Sequence, residues 1–274
     1  MGSAYDARVP GWRIMGVLNV TPDSFSDGGE WFAPEAAVAH GRELIAQGAA
    51  IVDVGGESTR PGAEPVAAEE ERRRVVGVIE ALAGAGAQLS VDTSKAAVAR
   101  AALAAGAGYV NDVSALRGDP EMAGVVAGAG CDCCLMHMLG EPRTMQADPR
   151  YADVVSEVKA FLEERLAFAV AEGVAEQRIH LDPGIGFGKT AAHNLELLRR
   201  LDEIVAIGRP VVVGTSRKSF LGRITGRDDP HQRVHGTVAT NVLALERGAS
   251  IFRVHDVAAT RDGLAVAAAT LRPA

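Results

Sequence analysis

Aromatic residues are scarce in this chain. Phe, Trp and Tyr make up 4% of it, so Ala, Val, Leu and Ile must fill any core. Cysteine is nearly absent. Cys131, Cys133 and Cys134 crowd one strand-like run, at a spacing that fits neither a zinc ligand pair nor a disulfide framework. They read as small buried apolar residues. Basic residues are not in excess: Lys plus Arg is 28 against 35 for Asp plus Glu, a net charge of −7. That argues against a nucleic-acid partner, though a local basic pocket for a small anion remains open. No apolar run approaches a membrane span, and the N-terminus lacks the charged-then-apolar pattern of a signal peptide. Met1-Gly2 opens like a myristoylation start, but Asp6 stands where Ser or Thr is needed. No membrane partner and a cytoplasmic location are the expectations.

Several catalytic motifs are missing too. There is no nucleophile elbow with Ser, His and Asp in order, and no HExxH. Gly188-Lys189-Thr190 has the look of a P-loop end, but Pro183 stands where that motif requires Gly. A dinucleotide fingerprint from Gly184 and Gly186 would need glycine where Lys189 stands.

What is present is a regular alternation. Short apolar strands, at Ile14–Asn19, Ile51–Gly55, Leu89–Asp92, Tyr109–Asp112, Cys133–Met138, Ile179–Asp182, Val211–Gly214 and Ile251–Val254, alternate with longer amphipathic segments. The helical segments are expected at Pro34–Gln47, Ala67–Leu82, Lys95–Ala105, Pro120–Ala127, Val154–Glu172, Asn194–Ala206, Val234–Arg247 and Thr260–Leu271. Strand–helix units in continuous register imply a parallel sheet covered by helices, and this number favours closure into a (β/α)8 TIM barrel. The length of 274 residues suits one domain of that kind, since such barrels typically run to about 250. Two βα loops, Val20 to Ala33 and Gly56 to Val66, are long for a compact domain, and their glycines would let them move. A third long connection, Ser219 to Arg233, follows strand seven.

In such folds ligands bind at the C-terminal ends of the strands. The sixth strand delivers Asp182 there, at the mouth of Pro-Gly-Ile-Gly-Phe-Gly188, although an Asp so placed also suits a helix cap. The other strands deliver Asn19, Asp92, Asn111 with Asp112, Met136 with His137, Arg217 with Lys218, and Arg253, His255 and Asp256. Taken singly, Asn111 reads as a turn residue and His137 as a structural histidine. Together they ring one pocket. Asp92, Asn111 and Asp182 offer acceptors to a flat ligand rich in N–H groups, which a carboxylate can grip in a fork. Lys218 can donate to a carbonyl on the same ring, and Arg253 and His255 suit a phosphate group. Asn19 is a neutral oxygen ligand that suits Mg²⁺ held mostly by water and phosphate.

The blocks Asn19-Val-Thr-Pro-Asp-Ser-Phe-Ser-Asp-Gly-Gly29, Gly55-Gly-Glu-Ser-Thr-Arg-Pro-Gly62, Val91-Asp-Thr-Ser94 and Asn111-Asp-Val113 resemble signatures of the dihydropteroate synthases. So do Met136-His-Met138, Leu181-Asp-Pro-Gly-Ile-Gly-Phe187, Thr215-Ser-Arg-Lys-Ser219 and Arg253-Val-His-Asp256. The resemblance runs from about Ile14 to the last helix. It implies condensation of 6-hydroxymethyl-7,8-dihydropterin diphosphate with 4-aminobenzoate, giving dihydropteroate and diphosphate on the way to folate. By the same resemblance Asp92, Asn111, Asp182 and Lys218 hold the pterin, with Met136 and Gly214 beside it. Asn19, Arg253 and His255 serve the diphosphate and Mg²⁺, with Asn19 the metal ligand. Phe25, Thr59, Arg60 and Pro61 come from the two long loops, and Phe187, Lys218 and Ser219 help form the aminobenzoate site. Asp92, Lys218 and Arg253 are expected to act on the reacting groups.

The resemblance further implies a dissociative reaction assisted by Mg²⁺, a homodimer, and sulfonamides as mimics of aminobenzoate. Two rivals share part of the pattern. A methyltetrahydrofolate-binding methyltransferase would have the Asp-Asn-Asp set but no reason for the long loops or Arg253-Val-His255. An inactive paralogue with a binding or regulatory role should show a damaged loop or a lost phosphate cation, and neither is seen.

Overall fold

The computed structural model describes residues 11–21, 34–58, 63–141 and 143–271. Among these, eight strands form one parallel sheet. They are β1 (Arg13–Asn19), β2 (Ile51–Gly55), β3 (Gln88–Asp92), β4 (Tyr109–Asp112), β5 (Asp132–Met136), β6 (Ile179–Asp182), β7 (Val212–Val213) and β8 (Ile251–Val254). The order is β6-β5-β4-β3-β2-β1-β8-β7. A parallel bridge between Leu181 and Val211, with the Leu181 N–H bonded to the Pro210 carbonyl at 2.9 Å, brings β6 against β7 and closes the barrel.

Strand alternation divides the side chains between two layers. Val52, Val54, Leu89, Val91, Val110, Leu135 and Leu181 face outward and are buried beneath the helices. Each such aliphatic side chain contributes roughly 1.5–3 kcal/mol by leaving water. The opposite parity fills the interior in tiers. At the bottom Gln88 Nε2 donates to Asp132 Oδ2 at 2.8 Å and Arg178 donates to Asp132 Oδ1 at 3.1 Å. Above them lie Met15, Ile51, Tyr109, Cys134, Val212 and Ile251, all fully buried. His180 Nδ1 meets the Tyr109 hydroxyl at 2.8 Å in this tier. The top tier is polar. All three cysteines are buried, and burial raises the thiol pKa of each.

The helices are α1 (Pro34–Ala46), α2 (Ala68–Leu82), α3 (Ala96–Ala104), α4 (Met122–Ala129) and α5 (Val154–Ala171), then α6 (Ala191–Arg199), α7 (Leu201–Val205), α8 (Ser219–Thr225), α9 (Val234–Glu246) and α10 (Val257–Leu271). Four expectations need correction. The segment 194–206 is two helices, because the backbone turns at Arg200, whose guanidinium is drawn to Glu203 and Asp153 at 2.6 and 2.7 Å. The connection 219–233 is structured: α8 buries Phe220 and Leu221 and ends on left-handed Gly226, and a 3-10 turn follows at Pro230–Arg233. Strand β5 stops at Met136, with the His137 N–H to Asp182 carbonyl bond as its last rung to β6. Helices α6 and α10 start at Ala191 and Val257, each three residues earlier than the sequence pattern suggests.

Candidate active site

The top tier is held by one buried carboxylate that the sequence reading passed over. Asp53, in the middle of β2, is fully buried and accepts three hydrogen bonds. Ser90 Oγ donates at 2.6 Å, Asn111 Nδ2 at 2.9 Å and Arg253 Nε at 2.7 Å. Arg253 Nη2 donates in turn to Asp92 Oδ2 at 2.7 Å. Four strands are thereby tied across the barrel interior. Asp53 was legible in one respect: it interrupts Ile51-Val-Asp-Val54 with the inward parity of Ile51 and Gly55. Burial raises the Asp92 pKa against the opposing pull of Arg253, and Asp53 adds to the rise.

Asp182 enters from β6, buried, and its Oδ1 accepts the Gly184 N–H at 2.7 Å. It therefore fixes its own turn and does not cap α6, whose first turn is capped by Thr190. Burial raises the Asp182 pKa against the pull of Lys218 and the Gly184 N–H. The loop beyond it is gripped at four successive carbonyls. Lys218 Nζ donates to Ile185 O, Gln146 to Gly186 O at 2.5 Å, Lys189 Nζ to Phe187 O at 3.0 Å and Tyr151 to Gly188 O at 2.8 Å. Gly184 has φ +66°, and a Cβ there would lie 1.8 Å from the His137 carbonyl, so only glycine fits.

Lys218 reaches inward because Arg217 before it is left-handed, with φ 60°. Arg217 points away into a two-pronged pair with Asp256, at 3.0 and 2.6 Å. The Lys218 ammonium lies 4.7 Å from the Phe187 ring centroid. Desolvation lowers its pKa to about 8, with Asp182 opposing and Arg253 assisting. Met136 packs with Met138 and Met145, and Phe187 lies against them. Gly214 is near both Arg253 and Lys218. Ser219 is exposed at the start of α8. His255 meets Ser216 twice, through its N–H at 3.1 Å and its Nδ1 at 3.0 Å.

Asn19 and Asp92 converge beside Gly55. A Cβ on that glycine would stand 3.9 Å from Asn19 Oδ1 and 3.7 Å from Asp92 Oδ2. Among the described residues no group of three or more His, Cys, Asp or Glu could hold a metal. Asp92 Oδ2 is already paired with Arg253, so the oxygen beside Gly55 that suits a hard cation is Asn19 Oδ1, a neutral donor for an ion that keeps most of its ligands as water and phosphate.

Not every strand-end residue joins the site. Asp112 faces outward and holds the next turn, accepting the Ser114 and Leu116 N–H groups at 2.7 and 2.8 Å. His137 is buried beside Lys189, and desolvation lowers its pKa to about 3. Phe25, Thr59, Arg60 and Pro61 lie outside the described residues.

A strand-end pocket of this composition has relatives. Residues 15–255 match the family model for pterin binding enzymes. The dihydropteroate synthase of Neisseria meningitidis serogroup C is 48% identical over 255 residues, covering 92% of this chain and 90% of that protein. The chain belongs to the dihydropteroate synthase family of pterin-binding enzymes. Two solved structures of the Xanthomonas albilineans enzyme superpose closely. The family member with 4-aminobenzoic acid gives a TM-score of 0.91 at 51% identity, over 96% of this chain and 94% of that one. The complex with 7,8-dihydropteroate gives 0.88 at 48% identity, over 96% and 95%. Family membership makes the chain a transferase. Among the described residues no helix is long and apolar enough to cross a membrane.

Proposed function

We propose that the chain joins 6-hydroxymethyl-7,8-dihydropterin diphosphate to 4-aminobenzoate by a dissociative, Mg²⁺-assisted route. The observation that carries the reading is the inward ring of Asp92, Asn111, Asp182 and Lys218 above the Asp53–Arg253 floor. The two carboxylates accept from the donor edge of a pterin, and Lys218 donates to its carbonyl. The bond between the exocyclic carbon and the diphosphate oxygen breaks, and its electron pair leaves with diphosphate. The pterin ring delocalises the positive charge, with Asp92 beside it as counter-charge. The amine lone pair of aminobenzoate then forms the C–N bond and the nitrogen releases a proton. An aromatic amine is neutral at pH 7, so no strong base is required.

Bound at Asn19, Mg²⁺ would neutralise the departing diphosphate. Arg253, a quarter exposed in the floor, and His255 would supply further positive or donor groups toward it. Phe187 and Ser219 would line the aminobenzoate side with Phe25, Thr59, Arg60 and Pro61. A cytoplasmic homodimer fits the family. Exposed Leu243 and Val266, on the packed pair α9 and α10, offer apolar surface for a second copy. Sedimentation of the purified chain tests the dimer. Formation of dihydropteroate from the two substrates with Mg²⁺, and its loss on chelation, tests the reaction. Turnover that is unaffected by chelation removes the metal from the route.

A further inference from the structure

Lys189 is a buried amine that the proposed reaction does not use. Its side chain follows the glycine-rich loop and is 3% exposed. Its Nζ lies 2.9 Å from His137 Nδ1, 3.0 Å from the Phe187 carbonyl and 3.5 Å from the His137 carbonyl. Each of these is a neutral acceptor, since burial keeps the His137 ring unprotonated. Among the described residues Lys189 has no carboxylate in hydrogen-bond contact. A buried ammonium without a direct ion pair is costly and persists only where something compensates it.

The compensating charge sits across Gly184. A Cβ on Gly184 would stand 3.4 Å from Lys189 Nζ, and the Gly184 N–H is the donor held by Asp182. Lys218 reaches the same loop from inside the barrel, so two amines flank one carboxylate. Asp182 spends Oδ1 on its own turn, and among the described residues Oδ2 accepts nothing. We propose that Lys189 is a positioning residue for the pterin: from behind the glycine-rich loop its charge keeps Asp182 an acceptor, while its hydrogen bonds fix Phe187. The inference rests on Asp182 binding the pterin.

The groups facing Asp182 are Lys218 on the loop before α8, Arg253 on β8, the Cys134 thiol on β5, the Gly184 N–H and Lys189. Those facing Lys189 are Asp182, Lys218 and His137, with Arg117 beyond the histidine. Desolvation lowers the Lys189 pKa to about 7, with Asp182 opposing. The coupling between the two groups must be reciprocal.

The test is Lys189→Met, with pterin affinity measured from pH 5 to 8. Removing the positive charge raises the Asp182 pKa, so the acid limb of binding moves to higher pH. A displacement of about one unit and roughly tenfold weaker binding on that limb are expected. Unchanged affinity across the pH range, with only a lower melting temperature, would reduce Lys189 to a packing role and overturn the proposal. Should that variant fail to fold, ¹³C-labelled lysine in Asp182→Asn gives the converse. The Lys189 titration should move to lower pH there, and an unmoved titration also overturns the proposal. Normal pterin binding by Asp182→Asn would instead remove Asp182 from the pterin site, and the Lys189 titration in that variant still reports the coupling separately.

Discussion

Asp53 and Arg253 stand 200 residues apart in the chain and meet at 2.7 Å in the floor of the pocket. The carboxylate is fully buried and the arginine a quarter exposed. The floor of the site is thus an ion pair between β2 and β8, extended by Asp92 on β3.

Asp53→Asn should cost on the order of 2–4 kcal/mol in urea unfolding, because it leaves a largely desolvated guanidinium with one carboxylate in place of two. Arg253→Met should also destabilise, since it leaves two buried carboxylates without their shared cation. The double variant should lose less than the sum, with a coupling of about 1–3 kcal/mol. Additive losses would mean that the pair contributes nothing to holding the floor.

Asp182→Asn replaces an acceptor with a group that turns a donor toward the pterin's own donors. Calorimetry should show a loss of about 2–4 kcal/mol in pterin binding, the range for a desolvated charge-assisted pair. Unchanged affinity in a folded variant would place the pterin elsewhere.

The sequence announced the barrel because its signal is local: each strand is a short, largely apolar run, and the strand–helix register repeats. It announced Asp92, Asn111 and Asp182 for the same reason, since Asp92 and Asp182 end their strands and Asn111 is the last residue but one of β4. Asp53 was hidden inside a strand, where charge contradicts the apolar pattern and only burial gives it meaning. Lys189 was weighed only as part of a failed P-loop, because nothing local in the sequence shows that its side chain is buried against His137, 52 residues away. Asp112 misled because adjacent residues on a strand face opposite sides, and parity placed it behind the sheet. Helix α8 was missed because Ser219–Thr225 is too short to show periodicity.

Stability should fall toward acid through His180. Burial lowers its pKa from 6.5 to about 4, and Arg13 adds to the effect. The unfolded chain therefore binds a proton between those values that the folded chain refuses, so stability rises with pH across that window. Between pH 7 and pH 4 the loss from this group is on the order of 3 kcal/mol. Asp92, Asp112 and Asp182 have raised pKa values and act in the opposite sense, so wild type must be compared with a variant. His180→Gln keeps a polar partner for Tyr109 and cannot take up a proton. Its unfolding free energy should fall less steeply from pH 7 to pH 4.5, and a slope equal to wild type would show that His180 titrates normally.

The division of labour at the mouth can be read from two alanine variants. Asn19 lies beside Gly55 at the Asp92 edge of the pocket, whereas Asp182 and Lys218 hold the opposite side. Removing the Asn19 amide should leave the ring's acceptors in place. Asn19→Ala should therefore bind hydroxymethyl-dihydropterin almost as wild type does, yet lose about 1.5–3 kcal/mol toward the diphosphate ester, the range for bonds to charged groups. That loss is roughly tenfold to a hundredfold in Kd. If the amide acts through Mg²⁺, chelation should weaken the ester's binding in wild type and have little further effect in Asn19→Ala. His255→Ala should also spare the plain pterin and weaken the ester, but it should retain its response to chelation, because the imidazole would address phosphate oxygens directly. Calorimetry on the two ligands with and without chelator separates these cases. Equal losses for both ligands would move Asn19 and His255 away from the diphosphate, and a full chelation effect in Asn19→Ala would give the metal a different protein ligand.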